Sequence, residues 1–121
     1  MAVILIVEDE TILCDLAGMM VEDWGHEALV ANCVEEALVH LHSSHAIHAL
    51  FTDIHLRTAF HGGCDLARFA LELRPCLRVL YTSGNSSTDK LRAMFVADGR
   101  FLGKPYSPQQ LQRSIEGLLA A

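Results

Sequence analysis

The sequence lacks the features that mark several classes of protein. No apolar run approaches the roughly 20 residues that a membrane-spanning helix needs. The first residues, Met1-Ala2-Val3, do not form the basic leader of a signal peptide. The cysteines form no C-x-x-C pair, which predicts reduced thiols rather than a disulfide framework or a zinc site: Cys14, Cys33, Cys64 and Cys76. Together these absences predict a cytoplasmic protein without a membrane span.

Positive charge is also scarce. The chain has 9 Lys and Arg residues against 15 Asp and Glu residues, which gives a formal net charge of −6. Domains that bind nucleic acids usually carry a basic surface, so we do not expect direct binding to nucleic acid. Hydrophobic residues make up 51% of the 121 residues, which argues against disorder and is enough for one core. We therefore predict a single domain over residues 1–121.

Apolar runs alternate with helical patterns along the whole chain. The runs predict strands at residues 3–7, 28–31, 49–52, 77–82 and 101–102. Apolar residues at helical spacing predict helices at residues 12–24, 34–41, 66–73, 91–99 and 108–119. Asn32 and Ser107 are candidate N-caps of the second and fifth helices. Five strand–helix repeats predict an α/β fold with a parallel sheet and helices on both of its faces.

Charged and hydroxyl side chains follow several of these strands. Glu8-Asp9-Glu10 follows the first run, Asp53 ends the third and Lys104 follows the fifth. Ligands of open parallel sheets bind outside the carboxyl ends of the strands, so these side chains are predicted to share a pocket. Carboxylates suit Mg²⁺, an Asp beside the metal can attack phosphorus, and a lysine can bind a phosphoryl oxygen. Either Ser83 or Thr82 could donate a hydroxyl hydrogen bond to another oxygen.

Five motifs in a fixed order carry a resemblance to a known family. They are Val7-Glu8-Asp9-Glu10, Thr52-Asp53-Ile54, Gly63-x-x-Leu66-Ala67, Thr82-Ser83-Gly84 and Phe101-Leu102-Gly103-Lys104-Pro105-Tyr106. On these motifs the chain resembles the receiver domain of two-component response regulators over essentially its full length. The resemblance implies a flavodoxin-like (βα)5 three-layer sandwich with a five-stranded parallel sheet of order 2-1-3-4-5. It also implies a cis bond between Lys104 and Pro105.

The resemblance further implies the roles of the site residues. Asp53 would accept a phosphoryl group from a phosphohistidine on a sensor histidine kinase or a histidine phosphotransfer protein. Mg²⁺ would be held by Asp9 and Asp53, by Glu8 through water and by the main-chain carbonyl of His55. Self-catalysed phosphotransfer and dephosphorylation would make the chain a phosphoacceptor rather than a dedicated enzyme.

The same resemblance assigns a switch and an output surface. Ser83 matches the switch hydroxyl, Phe101 the switch aromatic and Lys104 the phosphate-binding lysine. Phosphorylation would then alter the fourth helix, fifth strand and fifth helix, from about residue 86 to residue 119, and so change the binding of a downstream protein. A phosphorylation-dependent homodimer would be one use of that surface. Since the chain stops after the last helix, the expectation is a stand-alone receiver.

Three other functions compete with this interpretation. An aspartyl-phosphate phosphatase would have a second Asp two residues after the nucleophile, where this chain has His55. A flavodoxin-like cofactor carrier would need a phosphate-binding loop after the first strand, where the acidic cluster would repel phosphate. A receiver-like module that signals without phosphorylation would not need the intact set of Asp9, Asp53 and Lys104.

Several histidines lie outside these motifs. Four of them cluster around the second helix and its exit, and we expect surface side chains there rather than a metal site: His40, His42, His45 and His48. His55 and His61 flank the loop after Asp53, which carries Arg57 where the family often has a proline. His55 is equally consistent with a solvent-facing residue and with a modest effect on the lifetime of the phosphoryl group.

Overall fold

The fold was analysed in a computed structural model, which describes residues 1–56, 62–85 and 87–121. Five strands alternate with five helices in this part of the chain: β1 Val3–Val7, α1 Thr11–Asp23, β2 Glu27–Ala31, α2 Val34–His42, β3 Ala49–Asp53, α3 Gly63–Leu73, β4 Arg78–Ser83, α4 Asp89–Arg92, β5 Arg100–Gly103 and α5 Pro108–Ala120. All neighbouring strands are parallel, in the order β2-β1-β3-β4-β5. The predicted fold class and strand order are confirmed. The predictions for Arg57, His61 and Ser86 lie outside the described residues.

The strands alternate between two cores, because successive side chains point to opposite faces of the sheet. One core, on what we call the α1–α5 face, joins strand residues such as Ile6, Phe51 and Leu80 to the apolar stripes of α1 and α5. The other, on the α2–α3 face, joins residues such as Leu50 and Tyr81 to α2 and α3. A sheet covered on both faces explains why the strands are continuous apolar runs in the sequence.

The ends of two helices differ in how well the sequence predicted them. Ser107 caps α5 as expected: its Oγ accepts a hydrogen bond from Gln110 N at 3.1 Å, and the Gln110 side chain accepts one from Ser107 N at 2.8 Å. Asn32 does not cap α2, since the N-cap is Cys33 and makes no side-chain capping bond. The Asn32 amide instead donates to the main-chain oxygen of Glu8 at 3.1 Å. Asn32 therefore ties the start of α2 to the acidic strand end.

Helix α4 is much shorter than the predicted helix at residues 91–99. The amide of Val96, which a continuing helix would bond to Arg92, donates instead to the Tyr81 hydroxyl at 3.0 Å. Phe95 stacks on the Tyr81 ring with centroids 4.2 Å apart, and Asp98 adopts a left-handed backbone with φ of 64°. Tertiary contacts with β4 thus end the helix that the apolar spacing favoured.

The outer edge of β2 is covered by side chains of α2. His40 Nε2 donates to the outward-facing carbonyl of Val30 at 3.1 Å, and Asn32 N donates to Glu36 Oε1 at 2.6 Å. In the described part of the chain, none of the helices has the length and apolar character needed to cross a membrane.

Candidate phosphoryl-transfer site

Three carboxylates converge at the carboxyl ends of β1 and β3. Glu8, Asp9 and Asp53 each offer an oxygen, and these oxygens all lie within 4.8 Å of one another. Glu8 and Asp53 are buried, with exposures of 6% and 7%. Glu8 is held through its main chain, because its N donates to Ala31 O at 3.1 Å and its carbonyl accepts from Asn32. The sequence correctly predicted that these strand ends meet.

Lys104 reaches this cluster from the edge strand β5, which lies on the other side of β4. It follows β5, and its own N donates to Ser83 O at 2.9 Å. Its Nζ donates to Glu8 Oε1 at 2.5 Å and to Asp53 Oδ2 at 2.9 Å. The peptide bond between Lys104 and Pro105 is cis, as expected.

One lysine does not compensate fully for the carboxylates. Burial raises the pKa of Glu8, and the nearby charge of Asp53 adds to that effect against the hydrogen bond from Lys104. Burial alone would lower the pKa of Lys104, but its hydrogen bonds to Asp53 and Glu8 raise it above its usual value. The ammonium group is therefore firmly held, while Glu8 remains costly to ionise. A second cation would relieve this imbalance.

The donor set fits Mg²⁺. The ion prefers hard oxygen ligands and binds proteins through few carboxylates while keeping several waters. Glu8, Asp9 and Asp53 supply carboxylate oxygens at one corner, and the buried pair Glu8 and Asp53, which share one ammonium group, favours a divalent cation. The main-chain carbonyl of His55 stays a predicted ligand; the amide of the same residue donates to Asp53 Oδ1 at 3.1 Å.

The two hydroxyls at the end of β4 lie on opposite faces of the sheet. Ser83 follows Tyr81 by two residues and so shares the α2–α3 face, where Tyr81 and Phe101 pack. Its fully buried Oγ accepts a hydrogen bond from Asn85 N at 3.1 Å. Thr82 lies on the α1–α5 face with Leu80 and Leu102. The residues alone left both hydroxyls open and the resemblance favoured Ser83; the register of β4 adds which face of the sheet each one occupies.

Two residues bridge the loops that follow β3 and β4. The Asn85 amide donates to His55 Nε2 at 3.3 Å, and so links the loop after β4 to the loop that follows Asp53. No rule of spacing marked Asn85 in the sequence, since it lies in a loop rich in small residues. His55 is exposed to solvent, as one of the two alternatives expected, and this contact gives it a partner across the two loops.

Aromatic rings connect this region to α4 and β5. Phe95 stacks between Tyr81, at a centroid distance of 4.2 Å, and Phe101, at 6.2 Å. Burial raises the pKa of Tyr81 to about 12 despite its hydrogen bond from Val96 N. Tyr106 turns inward on the other face and meets Phe51 edge-on at 6.0 Å. Phe101 thus belongs to a packed stack rather than standing alone at the surface.

The histidines around α2 make separate contacts. His40 donates to Val30 O, His45 pairs with Glu27 at 2.8 Å, and His42 meets Phe69 edge-on. His48 Nδ1 accepts a hydrogen bond from Val3 N at 2.9 Å. Across residues 1–56, 62–85 and 87–121, the acidic cluster is the one group of side chains arranged to hold a metal.

Comparison with known proteins is consistent with this geometry. The family model for the response regulator receiver domain matches residues 4–116. A receiver protein from Sinorhizobium medicae is 29% identical with a TM-score of 0.90, covering 99% of this chain and 95% of that one. A CheY-like receiver domain protein from Methanospirillum hungatei is 25% identical with a TM-score of 0.87, covering 99% and 94%. NtrX from Brucella abortus is 28% identical with a TM-score of 0.86, but the match covers 98% of this chain and only 27% of NtrX.

Proposed function

The chain belongs to the response regulator receiver family of two-component signalling, and on that premise we propose that it is a phosphoacceptor switch centred on Asp53. The observation that supports this best is the bridge from Lys104 Nζ to Asp53 and Glu8. It gathers a nucleophilic carboxylate, a cation for the phosphoryl oxygens and the acidic ligands of a divalent ion at one strand edge. The phosphodonor is a phosphohistidine on a sensor kinase or a phosphotransfer protein.

The proposed reaction is a transfer between nitrogen and oxygen. A carboxylate oxygen of Asp53 attacks phosphorus, a P–O bond forms, and the P–N bond to the donor imidazole breaks. The electron pair of that bond stays on the imidazole nitrogen. Mg²⁺, held by Glu8, Asp9, Asp53 and the His55 carbonyl, would neutralise charge on the transferred group. Hydrolysis of the acyl phosphate by water would return Asp53 to a carboxylate.

Within the site, the protein's own groups orient the acceptor. The His55 amide donates to one oxygen of Asp53 and Lys104 Nζ to the other, so the carboxylate is fixed in its plane. When the phosphoryl group arrives, Lys104 can bind one of its oxygens and Ser83 another, both as hydrogen-bond donors. Positioning and charge stabilisation of this kind supply most of the catalysis in phosphoryl transfer.

An apolar groove beside the site suits the docking of the donor protein. It has a volume of about 630 Å³ and lies between α1 and the segment after β5, with Leu13, Leu16 and Tyr106 in its lining next to Lys104. Leu13 and Leu16 are 38% and 49% exposed. A helix that carries the phosphohistidine could bury these side chains and so present its imidazole to Asp53.

The proposed switch runs from Ser83 to the aromatic stack. Movement of Ser83 toward the phosphoryl oxygens would vacate space on the α2–α3 face, into which Phe101 can turn. Because Phe95 stacks on both Phe101 and Tyr81, that turn would also shift the segment after α4. Packed cores exchange between discrete arrangements, so a partner would meet a changed surface over residues 87–119.

Intact-mass analysis after incubation with acetyl phosphate and Mg²⁺ tests the proposal. We expect wild type to gain the mass of one phosphoryl group and Asp53→Asn to gain none. Asp98→Asn is the matched control, since Asp98 is exposed and asparagine tolerates its left-handed backbone. Equal modification of Asp53→Asn and wild type would refute the assignment of Asp53.

A further inference from the structure

Thr82 carries a buried hydroxyl that makes no hydrogen bond to the described part of the chain. The residue is 3% exposed, and within the described ranges its Oγ1 has no hydrogen-bond partner. A hydroxyl buried in this way is costly, and native structures rarely keep one without a reason. Ser83, the neighbouring hydroxyl, is already engaged by Asn85 N.

The strand register places Thr82 next to Asp53, the proposed phosphoacceptor. Its Cα pairs with that of Asp53 on β3 and with that of Leu102 on β5. Register partners in a parallel sheet share a face, so the Thr82 side chain lies on the face of Asp53 rather than on the face of Ser83. Neighbouring strands are roughly 5 Å apart, which puts the hydroxyl one strand away from the acceptor carboxylate.

The side chain of Lys104 has to pass over this position. Lys104 follows β5, whereas its two acceptors follow β1 and β3, and β4 lies between. Gly84, two residues beyond Thr82 on β4's exit, offers only open space where a side chain would stand. Thr82 is therefore the hydroxyl residue that shares the face of Asp53 on β4, the strand that lies between Lys104 and its acceptors.

Loading of the site would draw Glu8 and Asp53 away from Lys104. An ammonium group has three N–H donors, and here Glu8 and Asp53 each take one. With a divalent cation on these carboxylates and a phosphoryl group on Asp53, the phosphoryl oxygens would become the charged acceptors of Nζ. A neutral oxygen below it on the same face would hold the ammonium group over the phosphoryl group.

We propose that Thr82 is a positioning residue for phosphoryl transfer, whose hydroxyl accepts a hydrogen bond from Lys104 Nζ in the loaded state. The proposal rests on the proposed function of Asp53. It gives the two hydroxyls different tasks: Ser83 binds the phosphoryl group and starts the switch, whereas Thr82 fixes the lysine.

Two variants separate the hydroxyl from the side-chain volume. Thr82→Val keeps the shape and removes the hydroxyl, so in EDTA it should unfold at a higher urea concentration than wild type. With Mg²⁺ and beryllofluoride, a mimic of the phosphoryl group, it should bind beryllofluoride about tenfold more weakly, since it lacks one hydrogen bond to a charged group. Thr82→Ser keeps the hydroxyl and loses a buried methyl, so it should unfold earlier yet bind beryllofluoride within about twofold of wild type.

The lysine itself provides an independent measurement. The chain has two lysines, Lys90 and Lys104, and Lys90 is exposed, so ¹⁵N-lysine labelling gives one site signal and one internal control. Beryllofluoride should slow hydrogen exchange of the Lys104 ammonium in wild type and Thr82→Ser, and less so in Thr82→Val. Thr82→Ala, which also lacks the hydroxyl, should match Thr82→Val in beryllofluoride binding if the valine variant does not fold.

Two results would overturn the role of Thr82. One is equal beryllofluoride affinity and equal Lys104 exchange in wild type and Thr82→Val. The other is a lower urea midpoint of Thr82→Val in EDTA, which would mean that the hydroxyl is already satisfied without the cation. Failure of the proposed function looks different, because Asp53→Asn would then keep its response to beryllofluoride.

Discussion

Replacement of Lys104 by methionine tests how strongly the buried carboxylates of Glu8 and Asp53 repel each other. Methionine keeps a long flexible side chain over β4 but removes the ammonium group from Glu8 and Asp53. In EDTA the two buried carboxylates then face each other without a cation. We expect the folded state of Lys104→Met to lose stability, and added Mg²⁺ to restore most of it.

The geometry sets the size of the loss. Two carboxylate oxygens no more than 4.8 Å apart repel each other by at least about 3.5 kcal/mol at an effective dielectric constant of ~20. Breaking a buried ion pair by removal of one partner costs roughly 3–5 kcal/mol. Uptake of a proton by Glu8 limits the cost, so we expect about 2–4 kcal/mol near neutral pH. That is a large share of the 5–15 kcal/mol that stabilises a typical domain.

Urea unfolding in EDTA and in Mg²⁺ measures the effect. Lys90→Met is the matched control, because it removes the same charge from an exposed residue of α4. It should change the free energy of unfolding by no more than about 0.5 kcal/mol, and equally in both buffers. Since Lys104 no longer competes for the carboxylates, Lys104→Met should also bind Mg²⁺ more tightly than wild type.

The pH dependence of unfolding independently checks the predicted loss of stability in Lys104→Met. The pKa of Glu8 is raised in the folded state above its ordinary value of 4.5, so its protonated form favours folding. Stability linked to Glu8 is therefore present at low pH and is lost as pH rises through the folded pKa. Without the lysine that loss grows, and the deficit of Lys104→Met should be larger at pH 8 than at pH 5. A deficit equal to that of Lys90→Met, or one insensitive to Mg²⁺ and pH, would refute the reasoning.

Three further predictions concern other parts of the molecule. Asp9→Asn should weaken Mg²⁺ binding and slow phosphorylation while stabilising the metal-free fold, as a Mg²⁺ titration and urea unfolding would show; unchanged affinity would count against Asp9 as a ligand. Ser83→Ala and Phe101→Ala should still accept phosphate but lose the beryllofluoride-dependent changes in hydrogen exchange over residues 87–119; changes confined to the surroundings of Asp53 in wild type would contradict that output surface. In the folded protein the ultraviolet signal of tyrosine ionisation should shift to higher pH, because burial raises the pKa of Tyr81 to about 12. The protonated form favours folding, so this contribution, roughly 2–3 kcal/mol, is lost as pH rises from about 10 to 12, and titration of Tyr81 near pH 10 would contradict it.

The fold and the acidic corner could be predicted because both depend on local signals. Continuous apolar runs mark strands covered on both faces, and charged residues directly after such runs must meet at one edge of a parallel sheet. Glu8, Asp53 and Lys104 follow that rule. The order of the strands, which brings these three residues together, came from the resemblance to the receiver family and not from local signals.

What the sequence could not show depends on register and on competition between contacts. The apolar spacing after Leu91 favours a long helix, but the Tyr81 hydroxyl takes the Val96 amide and Phe95 stacks on the same ring. Neither contact has a signal at short range in the sequence. Likewise, Thr82 and Ser83 are adjacent hydroxyls, and only the pairing with Asp53 shows which one shares its face.

The covered edge of β2 has a consequence for assembly. An exposed edge strand can pair with a strand of another molecule and so extend the sheet from chain to chain. At Val30 and Asn32, the groups that such a strand would use are already bonded to His40 and Glu36. An incoming strand would have to displace both side chains, which protects the protein from fibril-like growth at this edge. This protection concerns the β2 edge alone, so self-association through the opposite edge, beside β5, would not have to displace these two side chains.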